Sequence, residues 1–489
     1  MHPRAAALLS WQGEEAMLNY FHLIEKTRLW PAHSQWLLYF LLLKDSGKDR
    51  PIGLISTMAR WWEHLREPEV NQWKLKCAKA WDWSGTGSGA EAAAWEALVA
   101  HEADDITCTD PESEMEATVI MDLVKAFERV SLKVVWQWAK YYNFPLSVAA
   151  MVLQIFHFPR RVIVQGCTSE EVRTAAAIVA GSKYSVLLLK MVITWPMDRL
   201  LHLFPTISLH TYVDDIKARL RDKQRLLVEK VPELVDAMTG LLEKVGMEAS
   251  LGKEGKSQIM VTSTWLRERL VSPAKTRSIP LRTAMVYLGV DFEVAARGIR
   301  TRAGKRLTEV SRRGKRLASL RKSGRTMSGG AAKVYKQGLK AAAMYGVKCL
   351  GMADRRLEAL RTEAGKAMPG SNGMRSLTLQ LALAKADPYF DVTMAPPFEW
   401  ACAVWDSRLE ENTLHRAWKR QLPLVKTWAQ VRGPAGATKL SLGRAGWTWP
   451  AWDTFRTKNG TLLSLKEVCP QDVSAMLRSG SAIVGGLVQ

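Results

Sequence analysis

The 489 residues predict an α+β protein in which helices alternate with an antiparallel core. Two observations carry that expectation. The runs Ile207–Thr211 and Ile216–Leu220 are short, apolar or β-branched, and separated by a few polar residues, which is the pattern of a hairpin. Long helical patterns, Ser185–Leu203 and Leu226–Val245, surround them without the strand–helix–strand alternation of a parallel sheet. The length allows two or more cores, so several lobes are expected.

Taken in order, Leu8, Leu9, Met17, Leu18, Phe21, Leu23 and Ile24 recur at helical spacing and predict a helix within residues 5–28, closed by Trp30-Pro31. Trp36–Leu43 reads as a buried strand, Asp45–Asp49 as a turn, and Pro51–Leu65 as a strand passing into a helix. A helix over roughly Glu91–His101 leads into residues 102–116, whose seven acids suggest a solvated loop. Helices over Leu132–Tyr142 and Ser147–Phe156 flank the breaker Asn143-Phe144-Pro145. Strands around Arg161–Val164 and Val172–Thr174 bracket a turn at Gln165-Gly166, Ser185–Leu203 is expected beneath the hairpin, and Gly246 is expected to close the helix before it. Residues 371–489 hold a second concentration of tryptophans, from Trp400 to Trp452, for which core packing is the expected use and base stacking the alternative.

The formal net charge is +21, and its placement says more than its sum. From Arg297 to Lys340 there are fifteen Lys or Arg against one acid, Glu309, so this segment alone supplies +14. A nucleic acid backbone is the expected partner, with an anionic membrane or simple solubility as the alternatives. The six cysteines are scattered and form no Cys-x-x-Cys pair, which argues for reduced thiols and against a zinc knuckle. The apolar run Trp36–Leu43 is too short to span a bilayer. An intracellular protein is expected, cytoplasmic or nuclear, and the cations of Ser311–Leu317 would also suit import into a nucleus.

Three carboxylates carry the chemistry: Asp122 in Val119-Ile-Met-Asp-Leu-Val-Lys-Ala-Phe127, and Asp214 with Asp215 in His210-Thr-Tyr-Val-Asp-Asp-Ile216. Adjacent acids ending a hydrophobic strand are costly unless a cation offsets them, and an all-oxygen donor set suits Mg²⁺, with Mn²⁺ as a substitute. Two such metals would serve phosphoryl transfer. Neighbouring strand residues face opposite sides, so the turn must present the pair; Asp214 with Asp122 are the expected main ligands and Asp215 a looser third.

Tyr212-Val213-Asp214-Asp215, with Asp122 and Phe127 upstream, resembles the palm of a reverse transcriptase, most similarly those of non-LTR, LINE-type retrotransposons. Lys44–Leu54 resembles the fingers block. Ala180-Gly181-Ser182 with Ser185 and Val186–Leu189 resembles the second palm block, and Gly246-Met247 with Lys253, then Tyr287-Leu288-Gly289-Val290, the last two. These blocks fall in the family's order over roughly residues 31–290. The resemblance implies a right-hand polymerase: an N-terminal helix and fingers over 1–118, a palm with an antiparallel sheet and interleaved fingers segment over 119–290, a basic helical thumb over 291–370, and a C-terminal extension of unknown fold over 371–489. It implies an RNA template, a DNA primer and dNTP substrates, and no membrane. Asp122, Asp214 and Asp215 would be catalytic metal ligands and Lys253 a general acid, with Lys256 near enough to compete. Lys44, Arg50, Phe127, Gly181 and Tyr212 would line the nucleotide site, Phe127 by clashing with a ribose 2′-OH. Tyr287, Leu288 and Gly289 would grip the primer. By position in the thumb, Arg312, Arg313, Lys315, Arg316, Arg321, Lys322 and Arg325 would hold nucleic acid. Two positions depart from the family: Ala180 stands where a glutamine is usual, and Glu128 where many relatives carry aspartate. The alternatives are a viral-type RNA-directed RNA polymerase and a decayed palm that only binds RNA.

Overall fold

The computed structural model describes residues 9–43, 49–85, 89–104, 109–164, 166–174, 176–252, 255–261, 263–270, 278–293, 301–322, 328–368 and 376–486. Fourteen strands are described: β1 Leu37–Leu43, β2 Asp49–Leu54, β3 Glu114–Asp122, β4 Arg160–Val164, β5 Cys167–Thr168, β6 Ser208–Tyr212, β7 Asp215–Lys223, β8 Gln258–Val261, β9 Leu281–Arg282, β10 Ala284–Tyr287, β11 Val290–Glu293, β12 Thr448–Ala451, β13 Thr454–Arg456 and β14 Leu462–Ser464. They form sheets of order β2-β1-β4-β5, β6-β7-β3-β8-β9, β10-β11 and β12-β13-β14. The architecture is α+β, and β3 at the centre of the five-stranded sheet is antiparallel to both neighbours.

β3 is buried on both faces, and each face belongs to a different core. Met115, Ala117, Val119 and Met121 pack with Ile216, Ala218 and Leu220 in one cluster, closed below by the helices Ser185–Leu203 and Gln224–Lys244. Ile120 on the opposite face joins Trp95 and Leu98 of the helix Ala90–Glu102, Tyr287 and Phe292 of the β10-β11 hairpin, and Trp400, Trp447 and Trp449. Most of the C-terminal tryptophans are therefore core, as expected, although Trp405 is exposed. A third cluster packs the basic helix Thr301–Lys322 against the helix Asp354–Ala367 through Val310, Leu317, Leu357 and Leu360. Gly314 permits that approach, since a Cβ there would lie 2.8 Å from the Glu363 carboxylate.

Most expected helices lie within a residue or two of their observed ends, Ser185–Leu203 among them; the first differs, starting at Trp11 after its N-cap Ser10, and Gly246 takes the left-handed φ of +77° just beyond Gln224–Lys244. The acidic stretch departs from expectation. Glu102 is buried and accepts from the backbone N–H of Ala435 and Gly436 at the start of the helix Pro434–Arg444. Asp104 is buried against Arg221, and Glu116 is buried 3.5 Å from Arg219. A run of acids is solvated only while no cationic or N–H partner folds onto it, and here the partners come from distant segments. The strand pair expected around Gln165-Gly166 also differs: Cys167–Thr168 pairs with β4, while Val172 makes only an isolated bridge to Arg160. Among the described residues no helix is long and apolar enough to cross a membrane.

Candidate active site

The carboxylates meet at one end of the central sheet. Asp122, the last residue of β3, lies directly opposite Asp215, the first residue of β7, and both fall on the same face. β6 and β7 are joined by the two-residue turn Val213-Asp214, flanked by the pair Tyr212 and Asp215. Val213 takes φ +60°, a left-handed conformation that a β-branched side chain rarely adopts. The register thus pairs Asp122 with Asp215 and leaves Asp214 on the turn, where the alternation of strand residues assigned the closer role to Asp214.

Asp122 is held at three points. Its backbone N–H donates to Ser257 Oγ at 3.1 Å, its carbonyl accepts from Ser250 N at 2.8 Å, and its carboxylate accepts from Lys256 Nζ at 3.1 and 3.3 Å. Ser250 and Lys256 belong to the turn between the helix Gln224–Lys244 and β8, the segment that also contains Lys253. Asp215 is pushed up to about 6 by burial and by the neighbouring charges of Asp214 and Asp122, against the opposing pull of Lys256. Among the described residues no three acidic, His or Cys side chains are already arranged as a metal-binding group. The donor set is nevertheless carboxylate oxygen, and burial together with the charges of Asp214 and Asp122 keeps Asp215 from ionising at its ordinary value, so a hard divalent cation fits the site.

The residues around this centre are divided among several elements. Phe127 lies half-buried after β3, packed against the palm core, and its carbonyl accepts from Ile178 N at 2.8 Å. Gly181 packs backbone on backbone: a Cβ there would fall 1.8 Å from the Gly53 carbonyl oxygen of β2, so no other residue fits without moving that strand. Ala180 beside it is exposed. The loop that follows is fixed by Glu63, a buried acid with no sequence signal of its own, which accepts from Ser182 Oγ and from Lys183 N at 3.0 Å. Burial raises the Glu63 carboxyl above its ordinary value. Tyr212 and Val213 line a cavity with Lys74, Lys183 and Lys190. Arg50 lies on β2 opposite Leu42, while Lys44, Lys253 and Arg325 fall outside the described residues.

Leu288 and Gly289 form the two-residue turn of the β10-β11 hairpin with φ of +46° and +78°; Arg306 Nη2 of the basic helix donates to the Gly289 carbonyl, and Tyr345 Oη, just after the helix Ala341–Met344, to that of Leu288. Tyr287 itself is 1% exposed, so its side chain is core and is not on a surface that could grip a primer. On the helix Thr301–Lys322, Arg312, Arg313, Lys315 and Arg316 are exposed, but Arg312 and Arg313 both pair with Glu309 at 2.7 Å. Arg321 and Lys322 close the same helix.

The geometry is that of a template-directed polymerase palm, a sheet end carrying three carboxylates with a hairpin turn beside it. The chain belongs to the family "Reverse transcriptase (RNA-dependent DNA polymerase)", whose model matches residues 42–292, just over half of the sequence. A comparison with curated proteins finds no match. Similar solved structures include apo telomerase from Candida tropicalis truncated from its C-terminal domain (13% identity, TM-score 0.35, 55% of this chain and 57% of that one). They also include telomerase from Candida albicans in complex with a fragment of telomeric RNA (9% identity, TM-score 0.41, 81% and 64%). This chain therefore spans less than two thirds of either structure's length.

Proposed function

We propose that this chain is the reverse transcriptase of a non-LTR, LINE-type retroelement, extending a DNA 3′-OH along an RNA template with dNTPs. The observation that carries the reading is the placement of Asp122 opposite Asp215 beside the strained Val213-Asp214 turn. Asp122, Asp214 and Asp215 would hold Mg²⁺, which when bound supplies positive charge to the attacking 3′-oxygen and the leaving pyrophosphate. The chain's own groups do the rest. Lys256 Nζ offsets the Asp122 charge at 3.1 Å and would give a proton to the departing pyrophosphate oxygen, a role for which Lys253 of the same segment is the alternative. Phe127 excludes a 2′-OH, and the Leu288-Gly289 turn seats the primer end against the basic helix. In this reading residues 1–118, 119–290 and 291–370 serve as fingers, palm and thumb, and residues 371–489 extend them.

The test is nucleotide incorporation by the wild-type chain on an RNA template with a DNA primer, with and without Mg²⁺. Strong preference for dNTP over rNTP, lost in Phe127→Val, is the expected result. Equal use of both by the wild type would move the assignment to an RNA-directed RNA polymerase. Template binding without metal-dependent incorporation would instead mark a decayed palm, the reading that Ala180 favours.

A further inference from the structure

Lys217 carries a charge into the interior, two residues beyond Asp215 on β7. Strand alternation puts both on one face of the sheet, about 7 Å apart, and the register sets Ile120 and Asp122 directly opposite them. Lys217 is 1% exposed, and its neighbour Ile120 belongs to the hydrophobic cluster of Trp95, Tyr287 and Phe292. The Lys217 ammonium lies 5.0 Å from the centre of the Tyr287 ring. Glu116 and Glu96 are within electrostatic reach, but Glu116 is shared with Arg219 at 3.5 Å. Tyr287 in turn lies within electrostatic reach of Asp215.

Burying an ammonium is costly, and a methionine would fill the same space without the charge. What the charge supplies is direction. Apolar contacts hold the β10-β11 hairpin to the sheet but let it slide, whereas an ammonium is drawn to the face of one ring. The Tyr287 hydroxyl gives no such anchor, being buried and, among the described residues, without a hydrogen-bond partner. The ring also meets Phe292 edge-on at 5.9 Å, but Phe292 belongs to the same hairpin. At its turn the hairpin is bound to Arg306 and Tyr345. It is therefore held from the basic helix at one place and from the catalytic strand at another. We propose that Lys217 is a positioning residue: by clamping the Tyr287 ring it sets the Leu288-Gly289 turn, and with it the primer 3′ end, at a fixed distance from Asp215. This rests on the polymerase reading, which supplies the primer. It also gives Tyr287, whose side chain no primer can touch, a part in the reaction.

The experiment compares wild type with Lys217→Met, Lys217→Arg, Tyr287→Leu and Lys217→Met/Tyr287→Leu, reading steady-state extension, melting temperature and amide exchange over residues 285–292. Lys217→Met strands no acid, since Glu116 keeps Arg219, and Glu96 keeps Arg408 and Arg219 in reach. Its melting temperature should hold or rise. Its kcat should nevertheless fall roughly ten- to a hundredfold with KM for primer–template within about twofold, because the primer end is bound but misplaced. Lys217→Arg keeps a cation over the ring and should recover most of kcat. The double variant should be no slower than the slower single one. Wild-type kcat in Lys217→Met, no recovery by a folded Lys217→Arg, or additive losses in the double variant would overturn the proposal; the first two hold even if Tyr287→Leu fails to fold. Hairpin amides should also exchange roughly tenfold faster in Lys217→Met. Exchange needs no primer, so faster exchange in a chain that cannot extend one would sink the polymerase reading and leave the clamp, while wild-type exchange would sink the clamp alone.

Discussion

Val213 bears a conformational penalty that its neighbours impose. A β-branched residue at φ +60° costs on the order of 1–3 kcal/mol, and the β6-β7 ladder enforces it on both sides. Val213→Gly should remove most of that penalty and raise the melting temperature by roughly 1–2 °C. It should also slow primer extension, because the turn that fixes Asp214 would be free to move. A variant that is neither more stable nor slower shows the turn to be relaxed as it stands. The carboxylates have a sharper test. Asp122→Asn or Asp215→Asn should reduce extension by at least roughly a hundredfold, since charge stabilisation is lost at the transferring phosphorus. Template–primer affinity should stay within about twofold; unaltered extension in both variants removes these residues from the chemistry. The three acids were legible in the sequence because acids ending an apolar strand have few structural uses. Glu63 and Ser257 were not, since their partners, Ser182 and Asp122, are 119 and 135 positions away and nothing local marks them.

At the scale of the element, periodicity identified the helices, because burial of one face is written every three to four residues. It was silent on pairing. The parallel contact of β1 with β4 joins two segments more than a hundred residues apart, and strand composition alone fits either orientation. The basic helix Thr301–Lys322 shows how the two kinds of information combine. Its charge count was plain, but the geometry shows Arg312 and Arg313 sharing Glu309 while Lys315 and Arg316 remain open to solvent. Neutralising all four should flatten the salt slope of duplex binding by about two to three units, not the full 3.6 that four phosphate contacts would give. Single-nucleotide addition at saturating template should change much less than processivity. A wild-type slope in the quadruple variant would make this face a solvated surface.

In the molecule as a whole, the helix Ala90–Glu102 ties the palm to the C-terminal region. Glu102 is pushed up to about 7 by burial, although N–H donation from Ala435 and Gly436 and the nearby Arg432 pull the other way. A carboxyl raised in the folded state keeps its proton to higher pH than in the unfolded chain. Its stabilising effect is therefore complete below about pH 4.5 and is lost as pH rises through 7, by about 3 kcal/mol at most. Glu102→Gln should start about 1 kcal/mol less stable, having given up one N–H acceptor, and should show a flatter stability profile between pH 4.5 and 7. An unchanged profile in urea unfolding would place the titration elsewhere.

Trp95 shares a hydrophobic cluster with Trp400 and Trp449, the latter lying about 350 positions later in the chain. A ribosome adding roughly 5–20 residues per second leaves Trp95 and Leu98 without those partners for about 20–70 s after they emerge. During that interval the helix Ala90–Glu102 presents an uncovered apolar side and an unmatched Glu102, a natural target for a chaperone. Nascent chains halted before residue 449 should consequently be degraded or aggregate, even though every residue matched to the polymerase family has already been made.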